Sequence, residues 1–106
     1  MNAEKNRLLL SFEQLLRETN REIINPEIND LSIEDLKPVV EMVARARAAY
    51  LKALYELSVL HKKDKSLPTS EEMVSLQALR TRFLDLADGA KSIEVAIQRE
   101  YLDIKH

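Results

Sequence analysis

The sequence predicts an all-α protein, an antiparallel three-helix bundle in which the second and third helices form a long hairpin. Apolar residues recur at steps of three and four along most of the chain, which is the spacing of one helix face. Only 1 glycine and 3 prolines interrupt 106 residues, so a few long elements are expected. Apolar residues make up 45% and charged residues 32%, an ordinary globular composition. We expect a single helical-bundle domain over residues 1–106.

The first helix is predicted to run from about Asn2 to Ile23 or Ile24. Asn25-Pro26 should end it, because proline disfavours the helical conformation of the residue before it. Its apolar residues cover about a third of the helix circumference. They are Leu8, Leu9, Phe12, Leu15, Leu16, Thr19 and Ile23.

The second helix is predicted to begin near Pro38 and to end near Lys62, after a short separate turn over Ser32–Leu36. Proline fits the first turn of a helix and damages the interior, so we prefer this start to a kinked helix. The polar residues of this helix form only a narrow stripe. It is therefore expected to be covered on most sides, either as the middle helix of the bundle or as part of an oligomer interface.

The third helix has the clearest start, because Thr69 and Glu72 have the spacing of a capping box. Apolar residues then keep one helical phase as far as Ile104, which predicts a helix from Ser70 to Lys105, about 54 Å long at 1.5 Å per residue. Gly89 leaves an alternative, since a turn at this glycine would give two shorter helices and a four-helix bundle. The unbroken apolar phase favours the continuous helix.

Arg47 and Ser58 form a predicted polar seam on the second helix, because Arg47 occupies a position expected to be apolar and Ser58 lies on the same side. An unpaired guanidinium at that position would be costly. The favoured interpretation is that the arginine packs its stem and extends its charged end to water, and the alternative is a polar contact with a carboxylate of the third helix. The candidate carboxylates are Glu72, Glu94 and Glu100.

A second contact surface is predicted on the third helix, where Leu84, Val95 and Leu102 align about 140° from the main apolar stripe. Three apolar residues in register indicate an interface more than three isolated ones would. This surface could join two copies of the chain or receive a partner helix. The alternative is that the first helix covers it within a monomer.

Residues suited to catalysis or metal binding form no recognisable set in the sequence. The chain has no cysteine, which excludes disulfides, thiolate metal sites and a cysteine nucleophile. Asp103 and His106 have helical spacing, but the chain lacks the Glu-x-x-His units of a di-iron bundle. His61 is interpreted as a solvated helix-end residue, and one glycine cannot build a phosphate-binding loop. We predict no enzyme activity, catalytic residue, cofactor or metal site.

The net charge of −2 gives no reason to expect nucleic acid or an anionic membrane as a partner. No apolar run approaches the roughly 20 residues that cross a bilayer, and the N-terminus does not resemble a signal peptide, so we expect a cytoplasmic protein. The predicted function is a non-enzymatic protein–protein interaction module: an adaptor, small chaperone or assembly subunit. It would act through coiled-coil-like helix packing, as a homodimer or with another helical protein. A nucleic-acid-associated regulatory protein is the alternative, and a bundle enzyme or metal-binding protein is the weakest interpretation.

Overall fold

The structure, a computed structural model, describes residues 2–28 and 30–105. These residues form three α-helices: α1 (Asn2–Ile24), α2 (Ile33–Leu60) and α3 (Ser70–Gln98). A 3₁₀ turn over Asn25–Glu27 follows α1. Within the described ranges there is no strand, only one isolated parallel bridge between Leu31 and Ile104. The predicted all-α class and the α2–α3 hairpin are confirmed.

The chain divides into two compact units. The first comprises Met1–Leu36 together with Ser92–His106, and the second comprises Lys37–Lys91. Helix α1 has the predicted bounds and ends just before Pro26, which lies in the 3₁₀ turn. None of the residues of α1 is buried. The packing of all three helices into one bundle and the single-domain organisation stay predictions.

Helix α2 begins at Ile33, so the predicted start near Pro38 is wrong and the proline lies inside the helix. Ser32 and Asp35 explain the early start, because they form a reciprocal cap. The Ser32 N–H donates to the Asp35 carboxylate over 2.9 Å, and the Asp35 N–H donates to the Ser32 hydroxyl over 3.3 Å. This cap compensates for the hydrogen bond that Pro38, lacking an N–H, cannot donate to the Glu34 carbonyl.

Helix α3 begins with the predicted capping box. The Thr69 N–H donates to the Glu72 carboxylate over 2.8 Å, and the Glu72 N–H donates to the Thr69 hydroxyl over 3.1 Å. Gly89 lies inside the helix, so the predicted four-helix alternative is wrong. A methyl group added at this glycine would meet no atom within 4 Å. No close approach of another element therefore requires glycine here.

Helix α3 ends at Gln98, so the predicted extension to Lys105 is wrong. Glu100 has a φ of 62°, in the left-handed region. The Glu100 N–H bonds to the Ile97 carbonyl over 3.1 Å, and the Tyr101 N–H bonds to the Ala96 carbonyl over 2.8 Å. This is the Schellman pattern that commonly ends helices, with glutamate in the position where glycine is usual. The helix is therefore about 44 Å long at 1.5 Å per residue.

Within the second unit, α2 and α3 run antiparallel and pack against each other. The rings of Tyr50 and Phe83 are stacked, with centroids 6.2 Å apart and planes inclined by 17°. Nearer the turn, His61 lies 2.8 Å from Glu72. In each pair the two residue numbers add up to 133. A step of one residue toward the C-terminus in α2 is therefore matched by a step of one residue toward the N-terminus in α3.

Replacing Gly89 by alanine is expected to stabilise the protein by about 1 kcal/mol, because alanine is the better helix former and the added methyl group meets open space. The free energy of unfolding, measured by urea titration, checks this. The exposed Ala78 of the same helix provides the control, since Ala78→Gly should destabilise by a similar amount. A loss of stability in Gly89→Ala would contradict a continuous helix at this position.

Replacing Glu100 by glycine is expected to stabilise the protein by about 1 kcal/mol, because glycine has no Cβ to strain the left-handed conformation. Glu100→Ala is the matched control, since it removes the carboxylate and keeps the Cβ. Its free energy of unfolding should stay near that of the parent. Equal stabilisation by both substitutions would show that the carboxylate, and not the backbone conformation, is the source of strain.

Candidate functional site

The most exposed apolar surface of the first unit is a stripe along α1. We call it the α1 stripe, and its side chains range from 41% exposed at Leu16 to 70% exposed at Leu8. Several members are seven residues apart, which keeps them on one helix face. At 1.5 Å per residue the stripe is about 23 Å long. It consists of Leu8, Leu9, Phe12, Leu15, Leu16 and Ile23.

Helix α1 is held within the first unit by polar side chains. The Arg21 guanidinium donates to the Asp103 carboxylate over 2.5 Å and to the Glu100 carbonyl over 2.8 Å. The Asn25 side chain donates to the other Asp103 carboxylate oxygen over 3.1 Å, and its carbonyl accepts from the Asp103 N–H over 2.9 Å. We call Arg21, Asn25 and Asp103 the Asp103 clasp. Arg21 lies about 180° around the helix from Phe12, so the clasp does not use the α1 stripe.

The Asp103 clasp also fixes the residues that follow α3. The Asp103 carbonyl accepts from the Leu31 N–H over 3.0 Å, and the Leu31 carbonyl accepts from the Lys105 N–H over 2.7 Å. Hydrogen bonds from Arg21, and secondarily from Asn25, lower the pKa of the Asp103 carboxyl group from its ordinary value of 3.8. The carboxylate that sequence analysis considered as a metal ligand therefore anchors the end of the chain. The other member of that pair, His106, lies outside the described residues.

The three predicted interface residues do not form one helix face. Leu102 lies beyond the end of α3 and is only 4% exposed. Val95 is half-buried on α3, while Leu84 is 37% exposed in the second unit. The predicted alignment is wrong because the left-handed conformation of Glu100 turns the chain before Leu102. An interface role for Leu84 stays a prediction.

The predicted polar seam residues have local partners. The guanidinium of Arg47 lies over the Phe83 ring, 5.0 Å from its centroid, in a cation–π arrangement. The Ser58 hydroxyl donates to the carbonyl of Tyr55 in its own helix over 2.6 Å. Glu72, one of the candidate carboxylates for Arg47, is bonded to Thr69 and His61 instead.

Arg47 and Ser58 belong to a regular row of exposed residues on α2, which we call the hairpin face. Its large apolar members, Val40, Leu51 and Leu54, are between 45% and 63% exposed. The steps between successive members are four, three, four, three and four, the spacing of a coiled-coil seam. The hairpin face consists of Val40, Ala44, Arg47, Leu51, Leu54 and Ser58.

On the other side of the hairpin, α2 and α3 enclose an open groove of about 280 Å³. Its floor is apolar, and its two carboxylates are Glu56 and Glu72. Glu56 lies 3.8 Å from Lys52 in its own helix, and Glu72 caps α3. The groove therefore offers apolar contact and no pair of free polar groups converging on a substrate. It is lined by Ala53, Glu56, Leu57, Leu60, Glu72, Ser75, Leu76 and Leu79.

The hairpin turn contains a polar network around His61. The two ring nitrogens of His61 lie 2.6 Å from the Ser66 hydroxyl and 2.8 Å from the Glu72 carboxylate. Ser66 also donates its hydroxyl proton to Asp64 over 2.6 Å. The interpretation of His61 as a solvated helix-end residue is therefore wrong. The capping box indicated the position of Glu72, but nothing in the sequence signalled that His61 would reach it.

These hydrogen bonds shift the acidity of both carboxylates in the turn. The Thr69 backbone N–H, followed by His61, lowers the pKa of Glu72 from its ordinary value of 4.5. The Ser66 hydroxyl and backbone N–H lower the pKa of Asp64 from 3.8. Because Ser66 donates its only hydroxyl proton to Asp64, the network holds the hairpin turn together.

Residues 2–28 and 30–105 contain no group of three or more side chains placed to hold a metal ion. None of the helices in these ranges is both long and apolar enough to span a bilayer.

Comparison with known proteins adds no relative: the chain matches no protein-family model, no curated protein and no solved structure. The features of the described residues that bear on function are the α1 stripe, the hairpin face, the Asp103 clasp and the polar network around His61.

Acid is expected to destabilise the protein through the carboxylates of its polar networks, because their pKa values are lower in the folded chain. Such groups contribute stability that is fully present above their ordinary pKa values, 3.8 for Asp103 and 4.5 for Glu72. This contribution is lost as pH falls through the lowered values. The urea midpoint should therefore decrease as pH falls from about 5 toward 2.

Asp103→Asn tests the contribution of the Asp103 clasp. The variant should have a lower urea midpoint than the parent at pH 7, and the acid dependence of its midpoint should be weaker, since the clasp carboxylate is gone. Glu13→Gln, which neutralises an exposed carboxylate on α1, is the control and should behave as the parent. An unchanged acid dependence in Asp103→Asn would contradict the role of the clasp.

Proposed function

We propose that this protein is a non-enzymatic protein–protein interaction module that packs exposed helix faces against other helices, with a second copy of itself as its first partner. The observation that carries this proposal is the α1 stripe. Single exposed apolar residues are normal on protein surfaces. Six of them on one face of one helix exceed what an isolated chain usually presents to water, and such patches mark interaction sites.

The free energy available from covering the α1 stripe supports association. Fully burying one side chain of this size contributes roughly 1.5–3 kcal/mol. About half of each of the six side chains is exposed, so covering them contributes on the order of 5–10 kcal/mol per copy. The loss of translational and rotational freedom costs about 4–15 kcal/mol. A partner that brings an apolar face of its own about doubles the gain, and a second copy of the chain brings such faces.

The non-enzymatic part of the proposal is supported by the bonding of the polar side chains. His61, Ser66 and Glu72 are bonded to one another at the hairpin turn. Arg21 and Asp103 are bonded to each other in the clasp. Each of these groups stabilises a turn or a chain end, and the groove between α2 and α3 is apolar. Polar side chains that are bonded to one another in this way support a rigid scaffold that presents contact surfaces, and they do not converge on a substrate site.

Light scattering on the purified protein tests the proposed function. The parent is expected to have the mass of two copies of the 12.2 kDa chain at micromolar concentration. Glutamate at Leu8, Leu15, Leu51 and Leu54 together, two positions on each apolar face, should give a monomer of similar helix content by circular dichroism. The matched control is Leu10→Glu, because Leu10 is an exposed leucine of α1 off the stripe. It should leave the dimer intact.

Two results would contradict this proposal. One is a parent protein that stays monomeric up to about 100 μM, where even a weak dimer with a Kd in the micromolar range would form. The other is a variant with all four glutamates that dimerises as strongly as the parent.

A further inference from the structure

We propose that the hairpin face pairs with the hairpin face of a second copy around a two-fold axis, so that two hairpins form an antiparallel four-helix bundle. This inference rests on the proposed function and specifies which surface joins the two copies. It concerns the second unit, residues 37–91, alone.

The steps along the hairpin face point to a second copy as its occupant. The sequence of steps reads the same from either end, so the row meets itself when two α2 helices pack antiparallel. One register of the two helices brings every residue of the hairpin face opposite a residue of the other copy. In that register the numbers of two facing residues add up to 98. Ala44 of one copy then faces Leu54 of the other, and Val40 faces Ser58. These two pairs set a small side chain against a larger one, which lets the two faces interdigitate, and the third pair sets Arg47 against Leu51.

Leu84 occupies the centre of the same arrangement. The stacked Tyr50 and Phe83 and the bonded His61 and Glu72 fix which residues of α2 and α3 lie side by side. Because side-by-side residues of α2 and α3 have numbers that add up to 133, Leu84 lies level with the midpoint of the hairpin face. The proposed two-fold axis passes through that midpoint. It also lies on the side of α3 away from the groove residue Leu79, by about 140° around the helix. The Leu84 side chains of the two copies therefore meet at the axis.

The charged residues of α3 favour this register over the one shifted by seven residues. With Leu84 on the axis, Arg80 of one copy faces Asp88 of the other, so opposite charges flank the central leucines. Shifting one hairpin by seven residues would instead bring the two Arg80 side chains close to the axis, where like charges repel. Arg47 lies over the Phe83 ring of its own chain and faces Leu51 across the interface, so the two Arg47 residues lie in adjacent layers, about 6 Å apart along the helix axis. A polar residue in such a seam fixes register and oligomeric state.

The size of the hairpin face suits a stable dimer. From Val40 to Ser58 it is about 27 Å long, and the surface formed by α2 together with the adjacent α3, which carries Leu84, is about 20 Å wide. The projected area is then roughly 540 Å², and the accessible area is larger because side chains project from the surface. A specific interface buries about 800 Å² on each partner.

Single cysteines test the arrangement directly, because the chain contains none of its own. Leu84→Cys alone should form a covalent dimer under mild oxidation. Val40→Cys and Ser58→Cys should each stay uncrosslinked alone and should crosslink when the two variants are mixed. Val74→Cys, an exposed position on another side of α3, is the control and should give little dimer.

The outcomes separate this inference from the proposed function. Crosslinking of Val40→Cys and Ser58→Cys each on its own would indicate parallel helices and overturn the inference. Crosslinking at Leu15→Cys in place of Leu84→Cys would move the dimer contact to the α1 stripe, which overturns the inference and keeps the proposed function. A parent protein that is monomeric by light scattering would overturn both.

Substitutions measure the contribution of the face. Leu54→Glu with Leu84→Glu should raise the dimer Kd at least about 100-fold, because four carboxylates would be buried without partners. Val74→Glu, the matched surface substitution, should change the Kd less than about 3-fold. Equal effects of the two variants would overturn the inference, and circular dichroism at a concentration where each is monomeric would check that both remain helical.

Discussion

The structure depends on one constraint: a long helix is stable in water only when an apolar face of it is covered, because nucleation is costly and isolated helices are marginal. Of the residues described here, only Ala46, Leu76 and Leu102 are buried. Two of these lie in the hairpin, where Tyr50 and Phe83 stack between α2 and α3. The remaining apolar side chains of the helices are partly or largely exposed. Their coverage by other helices is what the proposed assembly supplies.

Features set by neighbouring residues could be predicted from the sequence. The capping box at Thr69 and the end of α1 before Pro26 follow from side chains and backbone groups a few residues apart. Helix α2 begins earlier than predicted because the cap formed by Ser32 and Asp35 starts the helix before Pro38. The end of α3 was missed because glutamate gives no turn signal at Glu100 and the apolar spacing continues beyond it. Apolar spacing indicates which residues avoid water, but it does not show where the helix ends.

Contacts between distant residues could be predicted less well. Asp103 bonds to Arg21, 82 residues away along the chain, and no local pattern marks that pair. Arg47 was identified as unusual from its position on the helix, but its partner is the ring of Phe83 and not a carboxylate. The predicted apolar face of α1 contains all six residues of the α1 stripe and also Thr19, since such a face needs only the helical period. What the sequence could not show is that the first unit would leave the stripe exposed.

The Asp103 clasp explains how the stripe stays available. Hydrogen bonds to charged groups are stronger than neutral ones and depend on direction, so a few of them can orient a helix without covering an apolar surface. Arg21 and Asn25 provide such bonds on the side of α1 away from Phe12. An apolar attachment of α1 would have used the stripe itself, because most of the large apolar side chains of this helix lie there. Polar attachment inside the unit therefore leaves the stripe exposed and available for the apolar contact that we propose.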